Sequence, residues 1–128
     1  MKKVFLILML FQSSMLSAQE LDCKKFRSGK FKIESEQFGD SFIERKGSKQ
    51  IEYGQDGKVK VQFKVKWIDD CTYTLQIKKV IENNDNIPFD KNMILTVEII
   101  EVNEHSYRQR STSNLYDFEV ESEVLKIE

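Results

Sequence analysis

Val59, Val61, Phe63, Val65 and Trp67 alternate with Lys58, Lys60, Gln62, Lys64 and Lys66. This strict period of two predicts a strand with one face in a core and the other in water. Asp69-Asp70 interrupts the run as a turn, and Cys71, Tyr73, Leu75 and Ile77 then alternate with Thr72, Thr74, Gln76 and Lys78 as the antiparallel partner of a central hairpin. Shorter strands are predicted before it at 29–34 (Phe31, Ile33), 41–45 (Phe42, Ile43) and 49–53 (Ile51, Tyr53). Phe38-Gly39-Asp40, Lys46-Gly47-Ser48 and Gly54-Gln55-Asp56-Gly57 separate them as turns.

After the hairpin, residues 81–92 are rich in Asn and Asp, hold the only Pro, and read as one long loop. Met93, Leu95, Val97 and Ile99 then alternate until Ile99-Ile100 and Val102 shift the phase, which predicts a bulge. Residues 107–111 form a weaker strand. The last strand is read from Leu115 towards Glu128, with Tyr116, Phe118, Val120 and Val124 opposite Asp117, Glu119, Glu121 and Glu123. If the sheet closes, this strand, with its acidic outer face, should lie beside the first, where Lys30 and Lys32 point outward, and cross-strand pairs of opposite charge would favour that closure. No amphipathic helix, repeat or low-complexity linker is visible in the chain after residue 18.

About eight antiparallel strands in meander order fit an all-β, up-and-down barrel, closed or half-open. Such a barrel is either filled by side chains or holds one small ligand. Phe63, Trp67, Tyr73, Tyr116 and Phe118 fall on predicted inner faces, and at this length a packed interior is the expectation, a hollow one the alternative.

The start of the chain changes the setting. Residues 1–18 hold Lys2 and Lys3, an unbroken apolar stretch over 4–11, and a polar run ending Leu16-Ser17-Ala18, the three parts of a secretory signal. The apolar stretch is too short for a membrane anchor, which needs about 20 residues. The expectation is therefore an exported chain, residues 19–128 forming one domain, periplasmic or secreted, with no stable membrane anchor after cleavage. Loss of residues 1–18 removes two lysines and no acid, leaving 18 basic against 21 acidic residues. A weakly acidic domain has no electrostatic basis for holding nucleic acid. Both cysteines, Cys23 and Cys71, remain in the exported part, and an oxidising compartment closes such a pair; two free buried thiols are the alternative.

Three blocks stand out together: Cys23-x-x-Phe26-x-x-Gly29-x-Phe31, Ile43-x-Arg45 followed by Gln50-x-Glu52, and Trp67-x-x-Asp70-Cys71-x-Tyr73-x-Leu75. The set resembles a group of small exported proteins of Bacteroidetes-type bacteria without an established activity, some of which carry a DNA topoisomerase IV label. The match spans about Leu21 to Ile77. The residues give that label no support, since no nucleotide loop or helix-turn-helix accompanies a candidate tyrosine. Gly29-x-Phe31 is also similar to the Gly-x-Trp opening of lipocalins, with Phe in place of Trp, which implies a lipocalin-like barrel. The resemblance further implies that a Cys23–Cys71 bridge pins the chain start across the sheet, with Trp67 beside it.

Catalytic chemistry is hard to place. The one imidazole, His105, lies in a polar turn with no nucleophile elbow, and one His without a free thiol gives zinc too few ligands. Glu82, Asn83, Asn84, Asp85, Asn86 and Asp90 lack the frame of a calcium loop. Tyr107, Arg108 and Arg110 have an aromatic and basic character, but three such residues are far below a single-strand-binding signal. The polar set of most interest is Arg45, Gln50 and Glu52, because Arg45 and Glu52 on adjoining strands can form a charge-assisted pair across a tight turn. Inward, they line a barrel mouth and orient a ligand's polar group, with Phe63, Trp67 and Tyr73 as apolar contacts; outward, they are a surface pair worth little. The expectation is a non-enzymatic binding domain without a cofactor, holding a small apolar ligand. The alternative is a structural or inhibitory protein acting on an envelope protein through its surface.

Overall fold

A computed structural model describes residues 21–128, so the export signal read over 1–18 lies outside the described residues. A 3-10 turn, Lys24–Phe26, precedes eight strands: β1 Gly29–Ile33, β2 Ser41–Lys46, β3 Lys49–Gly54, β4 Val59–Asp69, β5 Thr72–Asn83, β6 Ile94–Val102, β7 Ser106–Ser113 and β8 Glu119–Lys126. Each pairs antiparallel with the next, and β8 returns to β1, closing the barrel. The interior holds Phe31, Ile43, Val61, Phe63, Val65, Tyr73, Leu75, Ile77, Val97, Ile99, Tyr107 and Val124. Their spacing of two along each strand is what the alternating sequence dictates.

The seam between β1 and β8 is short. Phe31 faces Lys126 and Lys32 faces Leu125, and beyond them the Lys30 amide donates to the Glu128 carbonyl at 2.9 Å while the Ile127 amide donates to the Lys30 carbonyl at 2.8 Å. Gly29 makes this possible. Its φ is +136°, and a Cβ there would lie 2.7 Å from the Glu128 carbonyl oxygen. The glycine of the Gly-x-Phe opening is thus required by the last strand running against it.

The two ends of the barrel differ. One end gathers the Lys24–Phe26 turn, the tight β2–β3, β4–β5 and β6–β7 connections, and a disulfide between Cys23 and Cys71 with Cα atoms 5.3 Å apart. Closing a loop of 48 residue steps limits the unfolded chain by up to about 4 kcal/mol in the chain-entropy picture. At the other end lie the loops 34–40, 55–58, 84–93 and 114–118. There the walls splay. Pairing of β5 with β6 stops at Gln76 and Ile94 although β5 continues to Asn83, and residues 119–123 of β8 pair with β7 but not with β1.

Three expectations need correction. The long loop starts later than residue 81, because register shifts at Lys60/Val61 and Gln62/Phe63 let the β4–β5 ladder continue through Val80 to Asn83. The doubled Lys78-Lys79 hides that bulge from a period-two reading. The last strand starts at Glu119, not at Leu115: the Ser113 hydroxyl accepts from the Leu115 and Tyr116 amides, and the Asn114 side-chain oxygen accepts from the Ile94 amide at 2.7 Å, so 114–118 is a turn. Tyr116 and Phe118 consequently lie outside, 57% and 37% exposed. Finally, the last strand does lie beside the first, as closure requires, but the charge pairs expected across that seam go mostly to β7: Glu121 pairs with Arg108 and Glu119 with Arg110, each at 3.1 Å, and of the acids on and after β8 only Glu128 reaches Lys30, at 3.3 Å. The bulge expected near Ile99-Ile100 is present, between Ile99 and Glu101.

Candidate functional site

Arg45, near the end of β2, points inward at the disulfide end and is 2% exposed. Its guanidinium lies 4.8 Å from the Phe31 ring centre and 4.7 Å from that of Tyr73, held between two aromatic faces. Four of its N–H groups are placed. Nε donates to Gln50 Oε1 at 2.7 Å, Nη1 to the Phe26 carbonyl at 2.7 Å, and Nη2 to the Tyr73 and Tyr107 hydroxyls at 2.9 and 3.0 Å. The chain of bonds continues both ways: Gln50 Nε2 donates to Glu52 Oε1 at 2.7 Å, and the Tyr73 hydroxyl donates to Gln109 Oε1 at 3.3 Å, whose amide donates to Ser122. One arginine therefore ties the 3-10 turn to β2, β3, β5 and β7, and through Gln109 to β8. Phe26 completes the plug, its ring centre 4.9 Å from that of Tyr107.

Among the described residues no carboxylate touches Arg45; Glu52 is reached only through Gln50. Burial works against the arginine's charge, but Tyr73, Tyr107 and Glu52 together outweigh it and hold the group above its ordinary range. Burial also raises the Glu52 carboxyl above its usual range, and the Gln50 hydrogen bond and Arg45 charge offset this only in part. The Tyr73 hydroxyl is pushed up well beyond the ordinary phenol, chiefly by burial. The plug is thus a buried cation hydrogen-bonded to two buried tyrosine hydroxyls, a glutamine and a backbone carbonyl. A buried polar network that is fully paired specifies one arrangement of its strands.

The splayed end holds a different environment. A cavity of about 280 Å³ opens there against Ser41, Glu52, Val59, Val61, Phe63 and two residues of the β5–β6 loop, Ile87 and Phe89. The loop reaches it because Asn83 fastens both backbone groups of Ile87, accepting from its amide at 2.8 Å and donating to its carbonyl at 2.9 Å. The same bonds employ a side chain of the Asn- and Asp-rich segment in holding its own loop, as does Asp90, which accepts from the Asn92 amide. A larger concavity, about 490 Å³, runs along the outer wall among Lys30, Glu44, Lys46 and Lys49. The two are about equally open to solvent and differ in lining, with several charged side chains here and Glu52 as the one charged side chain lining the mouth cavity.

The six candidate binding residues divide between these two places. Glu52 and Phe63 line the cavity, whereas Arg45, Gln50 and Tyr73 form the plug. Trp67 sits at the plugged end over Tyr73, ring centres 4.6 Å apart, with the Arg27 guanidinium 5.0 Å from its ring and Arg27 itself bonded to Asp70. Arg45 and Glu52 do not pair directly across the β2–β3 turn: Arg45 faces Gln50 and Ile43 faces Glu52, which places the glutamate one step deeper towards the mouth. Tyr107, considered with its arginines for a nucleic-acid strip, is fully buried, while Arg108 and Arg110 stay outside in pairs with Glu98, Glu119 and Glu121. His105 is exposed, 3.6 Å from Glu104.

Sequence reading missed Tyr107 as an arginine partner, and Ile87 and Phe89 as cavity walls. The signal available for Tyr107 was its alternation with Gln109 and Ser111, a mostly polar face that does not look like core. For Ile87 and Phe89 it was two large apolar residues flanking Pro88 in an otherwise polar loop. Comparisons with protein-family models, with curated proteins and with solved structures find no match for this chain.

Proposed function

We propose that this chain is an exported, non-enzymatic binding domain that holds a small apolar molecule in the splayed mouth of its barrel. The observation that carries the reading is the cavity of about 280 Å³ lined by Val59, Val61, Phe63, Ile87 and Phe89. Its size is close to the lower end of the about 300–1,000 Å³ range of ligand sites, and its lining is apolar with a few polar groups, the usual composition of such sites. The division of labour in the barrel supports it: covalent and hydrogen-bonded ties concentrate at the plugged end, so the mouth is free of the task of holding the strands together. Export is part of the proposal and is supported by the Cys23–Cys71 bridge, a feature of oxidising compartments.

A second reading draws on Leu115, Tyr116 and Val120, 45–57% exposed on the β7–β8 turn and the adjacent part of β8 that lacks a β1 partner. On that reading the chain acts through this surface on an envelope protein. The two separate by experiment. Native mass spectrometry of the protein purified from an exporting host should show a small molecule that denaturation releases and that the cavity-filling substitution Val59→Trp excludes. A protein-only mass in both samples, with an envelope protein captured through Tyr116 and Phe118, would replace the first reading by the second.

A further inference from the structure

We propose that the mouth cavity selects apolar molecules that carry a cationic amine head and disfavours those that carry a carboxylate, through the free oxygen of Glu52. The inference rests on the binding reading above and adds the chemical class of ligand. Only one oxygen of Glu52 is engaged: Oε1 accepts from Gln50 at 2.7 Å, and Oε2 has no protein partner among the described residues. The carboxylate is also held in place, because Gln50 is 1% exposed and is itself fixed by Arg45. An acceptor positioned before the ligand arrives loses little freedom when it binds.

The rest of the lining supplies no positive charge to receive an anion. Apart from Glu52, Ser41 and Tyr53 its lining side chains are apolar, and no lysine or arginine lines it. Arg45 stands behind Gln50 with four of its five donors committed to Gln50, Phe26, Tyr73 and Tyr107, and the Lys60 ammonium sits over the Tyr53 ring, 5.5 Å from its centre, rather than in the lining. A carboxylate head would therefore meet an acid and no cation in the lining. The four loops around the mouth point the same way: they carry seven acidic residues against two basic ones, Lys58 and Lys91. That balance attracts cations towards the opening and repels anions.

The test uses three probes with the same six-carbon tail, hexylamine, 1-hexanol and hexanoate, titrated at neutral pH into the oxidised protein and followed through the methyl resonances of Val59, Val61 and Ile87. The expected order is hexylamine tightest, hexanol next and hexanoate weakest, the amine leading hexanol by roughly 10-fold as a hydrogen bond to a charged group allows. In Glu52→Gln the amine-to-hexanol ratio should fall to near one. Should that variant fold poorly, the order of the three probes on the unaltered protein still decides. Hexanoate binding as tightly as hexylamine, or a ratio unchanged in Glu52→Gln, overturns the role of Glu52 and leaves the apolar cavity standing. Shifts with none of the three probes overturn the cavity reading itself.

Discussion

Replacing Arg45 by Met keeps much of the volume of the side chain and removes its charge and all five donors. Four acceptors then lose a partner. The two tyrosine hydroxyls can still bond each other, 3.3 Å apart, and Tyr73 keeps Gln109. The Phe26 carbonyl and Gln50 Oε1 have no such replacement. Each buried orphan costs about 1–3 kcal/mol, and removing one member of a buried charged network costs about 3–5 kcal/mol in all. Against this stands the relief of no longer burying a cation, so a net loss of about 3 kcal/mol is expected, a large share of the about 5–15 kcal/mol that holds a domain together. For a chain of this size that is a fall in Tm of roughly 12 °C. Urea unfolding followed by the fluorescence of Trp67, which packs on Tyr73 next to the plug, and by far-ultraviolet circular dichroism gives the number directly. Adding Gln50→Leu removes one orphan together with its missing donor, so the double variant should lose less than the sum of the two single variants. A stability for Arg45→Met within about 0.5 kcal/mol of the unaltered protein, the range of ordinary surface changes, would refute the view that this arginine organises the barrel.

Gly29→Ala forces a Cβ to within 2.7 Å of the Glu128 carbonyl at a φ that side chains rarely adopt, and a loss of about 2 kcal/mol is expected, with faster hydrogen exchange at the Lys30 and Ile127 amides as the seam loosens. Replacing both Cys23 and Cys71 by Ser should lower stability by about 2–4 kcal/mol, read from the urea midpoint, while the far-ultraviolet spectrum at low urea stays that of a β-barrel. Glu52→Gln tests the raised carboxyl: the folded state favours the protonated acid, so the stability this provides is complete below the unfolded value and disappears as pH rises through the folded one. The variant should therefore be more stable than the unaltered protein at neutral pH and lose that advantage on acidification through that window, as measured by thermal unfolding across pH; an advantage that grows in acid would contradict the assigned direction.

Where side chains alternate without interruption, the strands were legible. β2, β3 and β4 follow from Phe42-Ile43, Ile51-Tyr53 and the Val59–Trp67 run, and the barrel order follows from the number of short antiparallel segments. The disulfide was legible from the count of cysteines in a chain read as exported. Alternation failed where backbone chemistry outweighed it. Tyr116, Phe118 and Val120 have the spacing of a buried strand, yet Ser113 and Asn114 capture the backbone of that stretch in a turn, and β1 is too short to cover Val120. The candidate site was legible as a group of residues and not as a place. Arg45, Gln50 and Glu52 were recognised as one polar set, but their division between a sealed plug and an open cavity depends on how deep each lies along the barrel, which one strand's pattern does not contain. Partners such as Phe26 and Tyr107 lie 19 and 62 residues from Arg45 and meet it only once the barrel closes.

The central claim is that the mouth of the barrel is a binding cavity, and a titration with the apolar dye N-phenyl-1-naphthylamine tests it most directly. With the protein purified after export, dye fluorescence should rise and saturate at one equivalent, and Val59→Trp, which fills the opening beside Val61 and Phe63, should weaken binding at least roughly 10-fold, equivalent to about 1.4 kcal/mol, while leaving Tm unchanged. Fluorescence that fails to saturate, or equal affinity in the two proteins, would contradict the account.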